Sequence, residues 1–161
     1  MTFLLIPYTR LTLKTYLSAP EAERRLALRV RPRSWLQVRS FWAKKDLAHD
    51  FVGKVEDGRF NINRIIYYRN SFLPIIIGQF HEDLGDTRIE ITMRLHYLVL
   101  AFLAVWLIIF FSFIGGGLSE NSVPISLFVG FIVLFLAIVL ISFNYEANKA
   151  RRMLEELWTA D

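Results

Sequence analysis

The sequence lacks cysteine entirely, and it is poor in charge. Without cysteine there are no disulfides, no thiolate metal sites and no cysteine nucleophile. Charged residues make up 21% of the chain, below the about 25% of an ordinary globular domain, while 54% are hydrophobic and 15% aromatic. That balance moves the chain toward the membrane class and excludes general disorder. A length of 161 residues suits one domain and excludes a multi-domain enzyme. Reaction motifs are missing as well: there is no P-loop, G-x-G-x-x-G, H-E-x-x-H or G-x-S-x-G. The N-terminal MTFLLIPYTR has no basic start and too short an apolar run for a signal peptide.

Charge is also absent from two long stretches, Tyr97 to Ser119 and Asn121 to Tyr145. Inside them lie apolar runs of 18 and 20 residues, 97–114 and 124–143. At ~1.5 Å per residue each approaches the ~30 Å hydrocarbon core of a bilayer. A chain of this size cannot wrap two all-round apolar helices away from water, so the expectation is a two-helix transmembrane hairpin over 96–143. The linker 115–123 is turn-rich. Sixteen Lys and Arg precede the first span, none lies in the linker and three follow the second. The positive-inside rule then puts both termini in the cytoplasm and the linker outside. No N-x-S/T sequon is present, which fits a bacterial inner (cytoplasmic) or internal membrane.

Residues 1–95 carry sixteen basic and ten acidic side chains, and their pattern predicts a β-α-β-β-β-β cytoplasmic domain. Leu11, Leu13 and Leu17 alternate with polar residues as in a half-buried strand. Ser18-Ala19-Pro20-Glu21 matches a capping box opening a helix that buries Ala19, Ala22, Leu26 and Val30 and ends at Pro32. Asp57-Gly58 between alternating runs signals a hairpin. Two further strands, SFLPIIIGQF and TRIEITMRL, meet at residues 82–86, and Pro74 argues for an edge position or a bulge. In the tail, 144–161, Ala150, Met153, Leu154, Leu157 and Trp158 form the apolar stripe of an amphipathic helix. That stripe is expected to pack on the sheet. The fold class is therefore α+β, a mostly antiparallel sheet with an N-terminal and a C-terminal helix, plus the membrane hairpin.

Tyr68-Arg69-Asn70-Ser71-Phe72-Leu73-Pro74, followed by IEITMRLHYLVLAFLAVW, resembles a family of small uncharacterised bacterial membrane proteins. The resemblance covers roughly residues 8–110 and implies no catalytic residues. In topology alone, a strand, a Ser-Ala-Pro-led helix, antiparallel strands and a final helix are similar to helix-grip lipid-binding domains, with fewer strands.

Two segments stand out as candidate contacts. Arg33, Trp35, Arg39, Trp42, Lys44 and Lys45 interleave cations with tryptophan, a composition suited to an anionic membrane surface. The same composition fits stacking on nucleic acid, which membrane tethering disfavours, or a packed element with solvated charges. Arg64, Arg69 and Asn70 interrupt an apolar region, and buried polar groups require partners. They point to an anion, headgroup or partner contact, or to a tight Arg-Asn-Ser turn. His49, His81 and His96 have no helical-spacing partner among themselves, and His81-Glu82-Asp83 with Asp86 reads as a solvated turn more readily than as a metal site. Neither catalytic nor metal-ligating residues are assigned, and no cofactor is called for. The spans hold no acidic, basic or internal histidine residue, so nothing marks an ion path. These features point to a non-enzymatic interaction or assembly component of a membrane complex. Its partners would be the lipid bilayer and another membrane protein or a second copy, with no nucleic acid. The alternative is a membrane-anchored binding domain for a lipid or other apolar ligand, held in a cavity between sheet and tail helix.

Overall fold

The computed structural model describes residues 6–33, 48–83, 85–116 and 125–159. The chain forms β1 (Tyr8–Thr15), α1 (Ala19–Arg29), β2 (Val30–Pro32), β3 (Phe51–Glu56), β4 (Arg59–Arg64), β5 (Ile75–Asp83), β6 (Asp86–Arg94), α2 (Tyr97–Gly116) and α3 (Ile125–Thr159). The strands make one sheet in the order β1-β6-β5-β4-β3-β2. Every pairing is antiparallel except the short parallel contact of β2 with β3, so the sheet is mixed.

Alternation decides which face is buried. In β6, Thr87, Ile89, Ile91 and Met93 point to the core, while Arg88 and Glu90 face the other way. Phe60 and Ile62 of β4 and Ile76 and Phe80 of β5 complete that face. The β3–β4 hairpin turns at Asp57 and Gly58, with φ of 52° and 68°, the left-handed pair that a tight hairpin turn requires.

Two helices cover the apolar face. α1 contributes Ala22 and Leu26, and the C-terminal part of α3 contributes Ala147, Ala150, Leu154 and Trp158. Trp158 ties these layers together. Its ring lies 5.9 Å from Phe80 and 6.3 Å from Phe60, and its indole Nε1 donates to the Ala22 carbonyl at 3.1 Å. Its own carbonyl accepts from Thr15 Oγ1 at 3.0 Å. Gly78, opposite Phe60 in the ladder, makes room for this cluster: a Cβ there would fall 2.1 Å from the Phe60 ring.

Several expectations are corrected. A sixth strand, β2, follows α1 directly, where Pro32 was read only as a helix stop. Pro74 lies just before β5, a strand flanked on both sides, so it marks neither an edge nor a bulge. The capping box does not form: the Ser18 carbonyl accepts from Ala22 N, and Glu21 instead pairs with Arg24 and Arg25. The tail helix is no separate element, because α3 runs 35 residues without interruption from the apolar segment into the domain core. Finally, the hairpin of two spans is not shown. Among the described residues one helix, Val129–Thr159, is long and apolar enough to cross a membrane, and the apolar stretch Tyr97–Ser112 is shorter. That one helix is compatible with membrane association.

Candidate functional site

The most buried charge in the domain lies where α3 passes the ends of β4 and β5. Glu146 is 0% exposed, and Arg64, the last residue of β4, is 7% exposed. Alternation along β4 turns Arg64 to the same face as Phe60 and Ile62. Helical spacing places Glu146 on the stripe that also buries Phe143, Ala150 and Leu154. The two charges therefore meet from opposite layers, 82 residues apart in sequence.

Their geometry is fully coordinated. Arg64 donates from Nε at 2.9 Å and from Nη2 at 2.5 Å to Glu146 Oε2. The Tyr68 hydroxyl donates to Glu146 Oε1 and accepts from Arg64 Nη2 at 2.8 Å. Asn70 Nδ2 approaches the same Oε1 at 3.4 Å, while its Oδ1 accepts from the Phe72 amide at 2.9 Å. Asn70 thus closes the 69–72 turn with one end and faces the carboxylate with the other. Removing a carboxylate and a guanidinium from water costs several kcal/mol per ion, on the order of what a charge pair recovers only with added hydrogen bonds. Tyr68 and Asn70 add such contacts to the carboxylate. Tyr68 is 47% exposed as a residue, yet its hydroxyl turns inward. Burial of that hydroxyl, and then its bond to Glu146, push its pKa above the ordinary phenol value, with the Arg64 charge opposing.

Beside this cluster runs a groove of about 420 Å³ between the 68–72 loop and α3. Ile138, Ser142, Tyr145 and Glu146 form its helical wall, one stripe along α3, and Tyr68, Arg69, Asn70, Ser71 and Phe72 form the other. A second structural level coincides with it. Tyr145 precedes Glu146, Tyr68 bonds to Glu146, Tyr67 adjoins Tyr68, Tyr8 pairs with Arg94, and Tyr97 opens α2. α2 packs on α3 through Trp106, whose ring lies 4.6 Å from Phe135 and 5.8 Å from Phe131. Tyr97 is roughly 14 Å along α2 from Trp106, and Tyr145 roughly 15 Å along α3 from Phe135, at 1.5 Å per residue. The two tyrosines are therefore level, and all five are exposed.

Of the residues singled out in the sequence, Arg64 and Asn70 meet at Glu146, and Arg69 lies in the adjoining groove wall. Arg33 is elsewhere, donating to Asn63 Oδ1 at 3.0 Å. Trp35, Arg39, Trp42, Lys44 and Lys45 lie outside the described residues. His49 adjoins the start of β3, His81 is in β5 and His96 precedes α2, and the described residues hold no group of three or more metal-ligating side chains. Sequence reasoning missed Glu146 and Tyr68. The signal for Glu146 was present: it sits four residues before Ala150 and eight before Leu154, a carboxylate on an otherwise apolar stripe.

No family model, no curated protein and no solved structure matches this chain.

Proposed function

We propose that this chain is an integral membrane protein whose α+β domain serves as a non-enzymatic interaction or assembly component of a membrane complex. In this reading α2 and α3 both cross the bilayer, with the domain and both termini on the cytoplasmic side. The observation that carries it is the pair of exposed tyrosines, Tyr97 on α2 and Tyr145 on α3, that lie level where the two helices meet the domain. Tyrosine concentrates where a membrane meets water, because its ring prefers the acyl boundary and its hydroxyl the headgroups. Beyond that level, α2 and α3 expose Phe102, Val105, Ile108, Phe111, Val133 and Leu134, which water would not tolerate as one surface. α2 as a whole spans 20 residues, roughly 30 Å.

An assembly role is supported by how the domain is held. α3 is common to both parts, and the buried Arg64–Glu146 pair fixes its rotation and height against the sheet. The rival, an apolar ligand between sheet and tail helix, loses support because Phe60, Phe80 and Trp158 occupy that space.

The absence of cysteine makes the topology directly testable. Ser119→Cys should react with a membrane-impermeant maleimide from outside the cell, and Ser18→Cys only after permeabilisation. Native mass spectrometry of the chain extracted with its surrounding lipid then tests the role. A stoichiometric additional protein is the expected result. A bare chain, or labelling of both cysteines from one side, would refute the reading.

A further inference from the structure

Unmatched charges in the domain are separated by sign along its length. At the end where α2 and α3 meet the domain, Arg94 closes β6 just before Tyr97, and Lys149 follows Tyr145 by one turn of α3. Arg152 lies about a turn farther on and, like Lys149, is exposed. None of these three side chains has a hydrogen-bond or ion-pair partner among the described residues. The described acids of that half are matched: Asp50 by Arg29, Glu90 by Arg10 and Glu146 by Arg64. At the opposite end of β6, Glu82, Asp83 and Asp86 form the exposed β5–β6 turn, with no ion pair among the described residues. Asp86 and Arg94 are the two ends of a 9-residue strand, roughly 27 Å apart. That is about three Debye lengths at physiological salt, so the acids of the turn do not offset the cations at the other end.

We infer that this cationic end is a contact surface for anionic phospholipid headgroups, with Arg94 and Lys149 as its principal residues. Charge complementarity selects an anionic partner, because these cations have no counter-charge within the domain. Position selects headgroups over an acidic protein. Lys149 lies roughly 6 Å beyond Tyr145 along the helix, and the headgroup region adds roughly 5–7 Å to each side of the hydrocarbon core. The two cations also belong to different layers. Arg94 stands opposite Tyr8 on the sheet face that the helices leave open, and Lys149 shares the exposed side of α3 with Tyr145 and Arg152. A bilayer surface meets both sides at once, whereas one acidic segment would have to wrap around the end of the domain. This inference rests on the membrane reading above but not on the assembly role. Contacts on both sides would hold the domain upright on the bilayer.

The test uses the full chain in nanodiscs of phosphatidylcholine alone and of an equal mixture with phosphatidylglycerol of the same acyl chains. Lipids that stay bound on ejection from the disc are counted by native mass spectrometry. The wild type should enter both discs and, from the mixture, retain phosphatidylglycerol over phosphatidylcholine. Ammonium acetate at 1 M, where the Debye length falls to ~3 Å, should remove that preference. Arg94→Gln and Lys149→Gln should each lower the preference by up to about fivefold, the effect of one cation near the headgroups, and the double variant should lower it further. Lys14→Gln with Arg88→Gln removes two cations that pair across β1 and β6 toward the far end, and should leave it unchanged. An unchanged preference in the Arg94 and Lys149 double variant, or an equal loss in the Lys14 and Arg88 variant, would overturn the surface. Should the first of these variants instead lose a co-purifying protein, the partner is an acidic protein and not lipid. A wild type that enters the mixed disc without preference refutes this inference alone. Failure to enter either disc refutes the membrane reading, and this inference with it.

Discussion

A single carboxylate, Glu146, holds α3 in register with the sheet. Its cost in desolvation makes its partners unequal to ordinary surface pairs. Glu146→Ala leaves Arg64 buried without a counter-charge, and should destabilise the folded chain by about 3–5 kcal/mol in a detergent-solubilised thermal melt. Arg64→Met with Glu146→Leu should recover most of that loss, because two apolar groups need no partner. If the double variant is as unstable as the single one, the pair is not the source of the effect. Tyr68 supplies a pH signature. Its folded pKa is raised, so the fold prefers the neutral phenol. The contribution is fully present below the ordinary value near 10 and is lost as pH rises through the folded value. Absorbance of tyrosinate should therefore show a component titrating above the ordinary phenol range, and Tyr68→Phe should remove it. At this scale the sequence was half informative. Arg64 and Asn70 were legible as polar interruptions that needed partners. Glu146 was hidden because its partner lies far away in the chain, and it looked like the first charge of a tail.

Elements fared better where local pattern and tertiary contact agree. β1, the β3–β4 hairpin and the alternation of β6 follow from period-two burial and an Asp-Gly turn, both local properties. β2 was illegible because three residues with a proline hold no period, and their pairing with β3 bridges a long stretch of chain. The capping box failed for a related reason: Glu21 has two arginines within one turn, which compete for its carboxylate. Packing between elements gives two sharp tests. Gly78→Ala places a methyl group against the Phe60 ring and should cost about 1–3 kcal/mol as overpacking. Trp158→Ala removes the side chain that joins α1 to the sheet, and should cost about 3–5 kcal/mol. Both are read as shifts in melting temperature, and an unchanged value for either would contradict the packing described.

For the molecule as a whole, the decisive feature is that one helix is apolar along its first half and packs into the domain core along its second. Hydropathy alone identified the apolar half of α3, and amphipathic periodicity identified the other half. Neither showed that they are continuous, since each pattern stops where the other begins. If α3 spans a bilayer as proposed, the chain should leave it only with detergent. Extraction at alkaline pH, which strips peripheral proteins, should leave it in the pellet.

The same continuity imposes an order of manufacture. Strands β1 to β6 are synthesised before α3, with α1 alone available to cover part of their apolar face. The residues that cover that face, Ala147 to Trp158, are synthesised only after the apolar half of α3. The apolar face of the sheet is thus closed only once the C-terminal half of α3 has been made, so the core is completed after every strand.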